Sequence, residues 1–178
     1  MIWESEDWKK PLRQMAKRLR SLKNADDLTE KNLTQIERDL FIGFYSIRKL
    51  FDAVVKVTDA TTSSQVKVSW YPNLRPVDWR NNHRIESLYD FKRKRQESRD
   101  LQFIAGRIIH SFIFAPFVGE QGGLGGIFFT SDVDKDKKLY AMEIDEVITA
   151  FERVGTDGVS KIYRDRDPKT GKDILKLS

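Results

Sequence analysis

The chain contains no cysteine and only two histidines, His83 and His110. The first absence excludes disulfides, thiolate nucleophiles and Cys-ligated zinc or iron–sulfur centres. Two histidines cannot build a three-His metal centre, although a His with carboxylates remains chemically open. A membrane span needs about 20 mostly apolar residues. The longest apolar region, roughly 101–118, is interrupted by Gln102, Arg107 and His110, so no membrane partner is expected. The start, Met1-Ile-Trp-Glu-Ser-Glu-Asp7, lacks a basic segment leading into an apolar core, so no secretory signal is expected. With no cysteine to protect, the expectation is a cytoplasmic protein.

What is present describes a globular chain. Of 178 residues, 39% are hydrophobic and 33% charged, too many large apolar groups for a disordered polymer. The expected organisation is one α+β domain over 1–178, with residues 1–24 as an amphipathic helix that packs as an arm. The net charge is +5, unevenly spread. Between Lys9 and Lys23 lie seven basic residues and no acid, Lys92-Arg93-Lys94-Arg95 is a second basic cluster, and 132–157 is acidic. A basic and an acidic end imply steering of an anionic partner, or contact between protomers or domains.

Apolar periodicity assigns the elements. Leu12, Met15, Ala16, Leu19 and Leu22 form a helical stripe with Pro11 in the first turn and Lys17, Arg18 and Arg20 outside it. A second helix is expected from Thr29 or Asn32 to about Val55, striped by Leu33, Ile36, Leu40, Phe44, Ile47, Phe51 and Val54. Phe41 and Tyr45 lie off that stripe, which puts this helix at the centre of the fold. Thr58–Ser64 reads as a loop. Val66, Val68 and Trp70 alternate as a strand ending at Tyr71-Pro72, and the stretch from there to about Ser98 reads as loop with irregular helix. Ser98 is the expected cap of a third, buried helix carrying Leu101, Ile104, Ala105, Ile108 and Phe112. Strands near 111–118, 124–131 and 138–144 form an antiparallel meander, followed by a helix near 145–154 and a C-terminal hairpin around Asp167-Pro-Lys-Thr-Gly-Lys172. The predicted fold is thus an antiparallel sheet, meander plus C-terminal hairpin, packed on two buried helices with a basic N-terminal helix.

Four constellations could carry chemistry. Arg48 and His110 sit within the most apolar stretches, where a charged or titratable group needs a partner. Arg48 is expected to be buried against Asp52 or Glu37. With Lys49 and His110 it is also the candidate anion site, and His110 the candidate acid or base of an enzyme. Lys17 and Arg20, and Lys92 to Arg95, are candidate phosphate-backbone contacts, the latter downstream of Trp70, Trp79, Tyr89 and Phe91. Gly119–Gly126 reads as a hairpin turn, because a strand rather than a helix follows it. Asp132, Asp134, Asp136 and Glu143 match the acids of a calcium loop. Lys137, however, stands where the sharp turn wants glycine, so calcium is not expected and no cofactor is assigned.

Glu37-Arg38 with Ile47-Arg-Lys-Leu50, and Ile108-Ile-His-Ser-Phe112 with Thr130-Ser-Asp132 and Leu139-Tyr140, resemble strings in a family of uncharacterised bacterial proteins. The resemblance implies no activity. The sequence therefore favours a small binding or accessory protein contacting a protein or an anionic ligand. The alternatives are nucleic-acid binding through 9–23 and 92–95, and an enzyme with an Arg/His site.

Overall fold

The structure is a computed structural model that describes residues 2–171 and 173–178. Met1, in the expected signal-free start, and Lys172, in the expected tail turn, lie outside them.

Helix α1 spans Glu6–Lys23 and starts earlier than its apolar stripe implies. Glu6 and Asp7 favour a helix N-terminus electrostatically, and the N–H groups of Trp8 and Lys9 donate to Ser5 O. Pro11 therefore falls in the second turn, not the first, where it supplies no N–H for the preceding turn. Leu12, Ala16 and Leu19 are fully buried, so the helix is part of the core.

Helix α2 spans Glu30–Asp52 behind a reciprocal cap: Asn32 N–H donates to Thr29 Oγ1 at 3.2 Å, and Thr29 N–H to Asn32 Oδ1 at 3.0 Å. Ile36, Leu40, Phe44, Ile47 and Leu50 are fully buried. Ile42 and Tyr45 are exposed, so the helix has a wet side and lies in an outer layer, not at the centre. The expected loop 58–64 holds a short helix, α3 (Asp59–Thr62), capped by Thr58.

Strand β1 (Gln65–Pro72) pairs antiparallel with β2 (Arg95–Asp100), so the last four residues of the expected loop, Arg95 to Ser98, belong to an edge strand. Ser98 lies in β2, and Asp100 caps helix α5 (Leu101–Ile109), accepting Phe103 N–H at 2.7 Å. Between them lies short helix α4 (Ile85–Leu88). The meander follows as β3 (Ser111–Val118), β4 (Leu124–Ser131) and β5 (Lys138–Glu143), then helix α6 (Ile144–Thr156). The five strands run in the order β2-β1-β5-β4-β3.

Alternation along the strands divides the sheet faces. Val66, Val68, Ile127, Phe129, Tyr140 and Met142 join the main core with residues of α1, α2, α5 and α6. The helix layer thus has four substantial members, including the two that were expected. Tyr71, Ile113, Leu139 and Ala141 face the other way and are covered by Val77, Leu88 and Tyr89 of the 73–94 connection. The tail forms a separate two-stranded sheet, β6 (Ile162–Arg166) with β7 (Asp173–Leu177), tied to the body where Leu177 N–H donates to Asp59 at 2.9 Å. The fold is α+β, and no described helix is long and apolar enough to cross a membrane.

Candidate functional site

The two basic clusters have opposite fates. On α1, Lys9 is only 4% exposed, and its ammonium donates to Lys56 O at 2.6 Å and Asp157 O at 2.9 Å. Burial pulls its pKa below the ordinary value, opposed by the nearby Asp157 carboxylate. Arg13 binds Glu6 and Gly155 O. Arg18 binds Asp39, Arg20 binds Glu152 at 2.9 Å, and Lys23 binds Asp145 at 2.7 Å. Asp145 and Glu152 belong to α6, so the basic and acidic halves of the chain meet each other within one molecule. Of the α1 cations from Lys9 onward, Lys10 and Lys17 alone make no side-chain hydrogen bond or ion pair among the described residues.

Lys92, Arg93, Lys94 and Arg95 are all exposed, and none makes an ion pair among the described residues. They lead into the edge strand β2. Residues 95, 97 and 99 share one face of β2 and stand opposite Trp70, Val68 and Val66 of β1. Arg95 lies 5.1 Å from the half-buried Trp70 ring, and Lys138 of β5 lies 4.2 Å from the same ring. Glu97 ties the row together, accepting from Arg99 Nε at 2.7 Å and Lys138 Nζ at 2.9 Å. Burial raises the Glu97 pKa, but these two cationic donors outweigh it and hold the carboxyl below its ordinary value.

Helix α5 closes the row. The guanidinium carbons of Arg99 and Arg107 each lie 4.7 Å from the centre of the Phe103 ring. Arg107 Nε stands 2.5 Å from Asp134 Oδ2, yet its N–H is not aimed at the oxygen and forms no hydrogen bond. Tyr140 meets Phe103 edge-on at 5.8 Å. Burial, with Asp134 and Glu97 beside it, pushes the Tyr140 hydroxyl up to about 12, so it stays protonated at neutral pH. Arg95, Arg99, Arg107 and Lys138 stand against Glu97 and Asp134, with Asp100 also acting on Arg99, which leaves the cluster cationic by one charge.

The other candidates lie elsewhere or have different roles. Arg48 pairs with Asp52 at 3.4 Å as expected, but its side chain is 39% exposed, not buried. Its flank of α2 borders the wet side, where the ammonium of Lys49 sits 5.5 Å from the Tyr45 ring. His110 is exposed at the C-cap of α5 and is not a core group. Arg48 Nη1 would lie 3.5 Å from a Cβ placed on Gly106, so the Arg48 flank of α2 faces α5 one helical turn before His110.

The calcium-like acids diverge. Asp132 pairs with Lys135, Asp134 with Arg107, and Asp136 accepts Val77 N–H at 2.7 Å. Glu143 is exposed at the start of α6. Residues 119–123 form the β3–β4 turn, while 124–126 of the expected turn already belong to β4; Gly122 and Gly123 approach the backbone oxygens of Asp26 and Lys23 too closely for any Cβ.

Arg99, Arg107 and Lys138 were missed in the sequence. Charges at 95, 97 and 99 alternate as strand residues do, but the loop reading of 72–98 hid that signal. No protein-family model, curated protein or solved structure matches this chain.

Proposed function

We propose that the protein is a small cytoplasmic binding or accessory protein that takes an anionic partner along the β2 edge. The observation that supports this is the contrast between the two basic clusters. The cations of α1 are mostly matched by carboxylates or carbonyls within the chain, whereas the side chains of Lys92, Arg93, Lys94 and Arg95 are exposed and form no ion pair among the described residues. Like charges crowded without counter-charges repel one another, and an incoming anion relieves that repulsion. A single-stranded nucleic acid is one such partner, an acidic polypeptide another. The partner makes its first contact with the 92–95 run.

The test titrates two fluorescent probes, a single-stranded oligonucleotide and a glutamate-rich peptide, at low salt. Replacing Lys92, Arg93, Lys94 and Arg95 together by serine is expected to weaken binding of at least one probe. For the oligonucleotide the slope of log affinity against log salt should flatten by about three units, at roughly 0.7 per phosphate contact. Equal binding by wild type and the serine variant overturns the proposal, as does no binding of either probe at low salt.

A further inference from the structure

The anion-binding reading leaves open which anionic group is recognised, and the side chains behind β2 carry that question further. We infer that Arg99 and Arg107 receive a phosphate group of the anionic partner, with the Tyr140 hydroxyl and Lys138 beside them. This rests on the β2-edge reading and specifies its chemistry.

Each guanidinium has a carboxylate at its Nε. The Nε of Arg99 donates to Glu97, and the Nε of Arg107 lies against Asp134. The terminal amino groups of both arginines have no hydrogen-bond partner among the described residues, and neither does the Tyr140 hydroxyl. A guanidinium presents five N–H donors in a planar fork, and leaving the fork's ends empty while its base is pinned pre-organises it for an oxyanion. Both guanidinium carbons touch the Phe103 ring, so they are separated by no more than twice 4.7 Å. Lys138 adds a positive charge whose ammonium is shared with Glu97 and Trp70.

The donor set favours phosphate over carboxylate. A carboxylate has two coplanar oxygens, which one fork satisfies. A phosphate group presents at least one more oxygen out of that plane and carries up to two charges, so it can engage a second fork and a hydroxyl donor. Glu97 and Asp134 are each already paired with a cation, Glu97 with Arg99 and Lys138 and Asp134 with Arg107, so neither is an unpaired charge facing the incoming anion. Trp70, partly covered by Arg95 and Lys138, walls the row on the β1 side.

The experiment compares melting of the full chain in sodium phosphate with melting in sodium chloride at matched pH and ionic strength. Phosphate at about ten times its dissociation constant should raise the melting temperature by about 3–5 °C over chloride. The variant R99K/R107K keeps both charges and loses both forks, and is expected to lose that shift. Should this variant fold poorly, wild-type NMR decides, since the side-chain N–H signals of Arg99 and Arg107 must move on titration with inorganic phosphate. A 5′-mononucleotide shifting the same signals supports the assignment, while an unphosphorylated nucleoside doing so equally overturns it. No excess effect of phosphate over chloride, or an unchanged shift in R99K/R107K, also overturns it. If that happens while the 92–95 serine variant still loses polyanion binding, only the phosphate assignment falls. Loss of both effects ends the edge-binding proposal as well.

Discussion

Arg18 holds Asp39 through two parallel hydrogen bonds, Nε to Oδ2 at 2.8 Å and Nη2 to Oδ1 at 2.7 Å. The pair links α1 to α2, and Gln35 adds a third donor to the same carboxylate at 2.8 Å. The Asp39 side chain is only 3% exposed, whereas the arginine that serves it is 44% exposed. This is the internal polar brace that the apolar centre of α2 demanded, and it is built from Asp39 and not from Arg48.

Arg18→Ala leaves a buried carboxylate with one neutral donor and is expected to destabilise the protein by about 2–4 kcal/mol. Arg48→Ala breaks only an exposed pair at 3.4 Å and should cost less than about 1 kcal/mol. Chemical denaturation of the two variants side by side checks the contrast. Equal losses would mean that Arg48 carries buried interactions beyond Asp52.

Glu97 makes stability depend on acid pH. Its folded pKa is depressed below the ordinary 4.5, so its contribution is fully present above that value and disappears as pH falls through the lower folded value. Melting curves collected from about pH 6 down to about pH 3 should fall less steeply for Glu97→Gln than for wild type. Parallel curves would show that Arg99 and Lys138 do not hold this carboxylate in solution.

Gly123→Ala places a Cβ against the backbone oxygen of Lys23, where α1 ends. Neither atom belongs to a flexible side chain, so the turn or the helix end must move. The expected cost is about 2–3 kcal/mol, read as a lower denaturation midpoint. A neutral substitution would mean the turn stands clear of α1 and is free for another role.

Calcium titration should leave the melting temperature unchanged at micromolar free ion. Asp132, Asp134 and Asp136 each engage a different protein group, so gathering them round one ion would break three contacts. A rise of several degrees would show that the turn rearranges to bind the ion.

Local pattern was enough for most of the elements. The meander strands appeared within a residue of their observed ends because β-branched and aromatic residues alternate there between clear turn signals. Helix α2 was legible from its stripe and cap, and the glycine-rich β3–β4 turn, observed at 119–123, from the strand that follows it. Strand β2 was not legible, since Arg95-Gln-Glu-Ser-Arg-Asp100 holds no apolar residue and gains its strand geometry from pairing with β1.

The sequence by itself determined the α+β class, the polarity of the surface and the exclusion of cysteine chemistry, because composition and short-range periodicity depend on neighbours along the chain. Tertiary structure decided which charges remain free. Net charge in a sequence window cannot show that Arg20 and Lys23 meet Glu152 and Asp145 more than a hundred residues away, while the side chains of Lys92 to Arg95 form no ion pair among the described residues. Nor can it show that Arg99 from a strand and Arg107 from a helix share one phenyl ring. Coulomb energy falls with distance through space, not along the sequence, so the candidate site became visible only once the chain had folded.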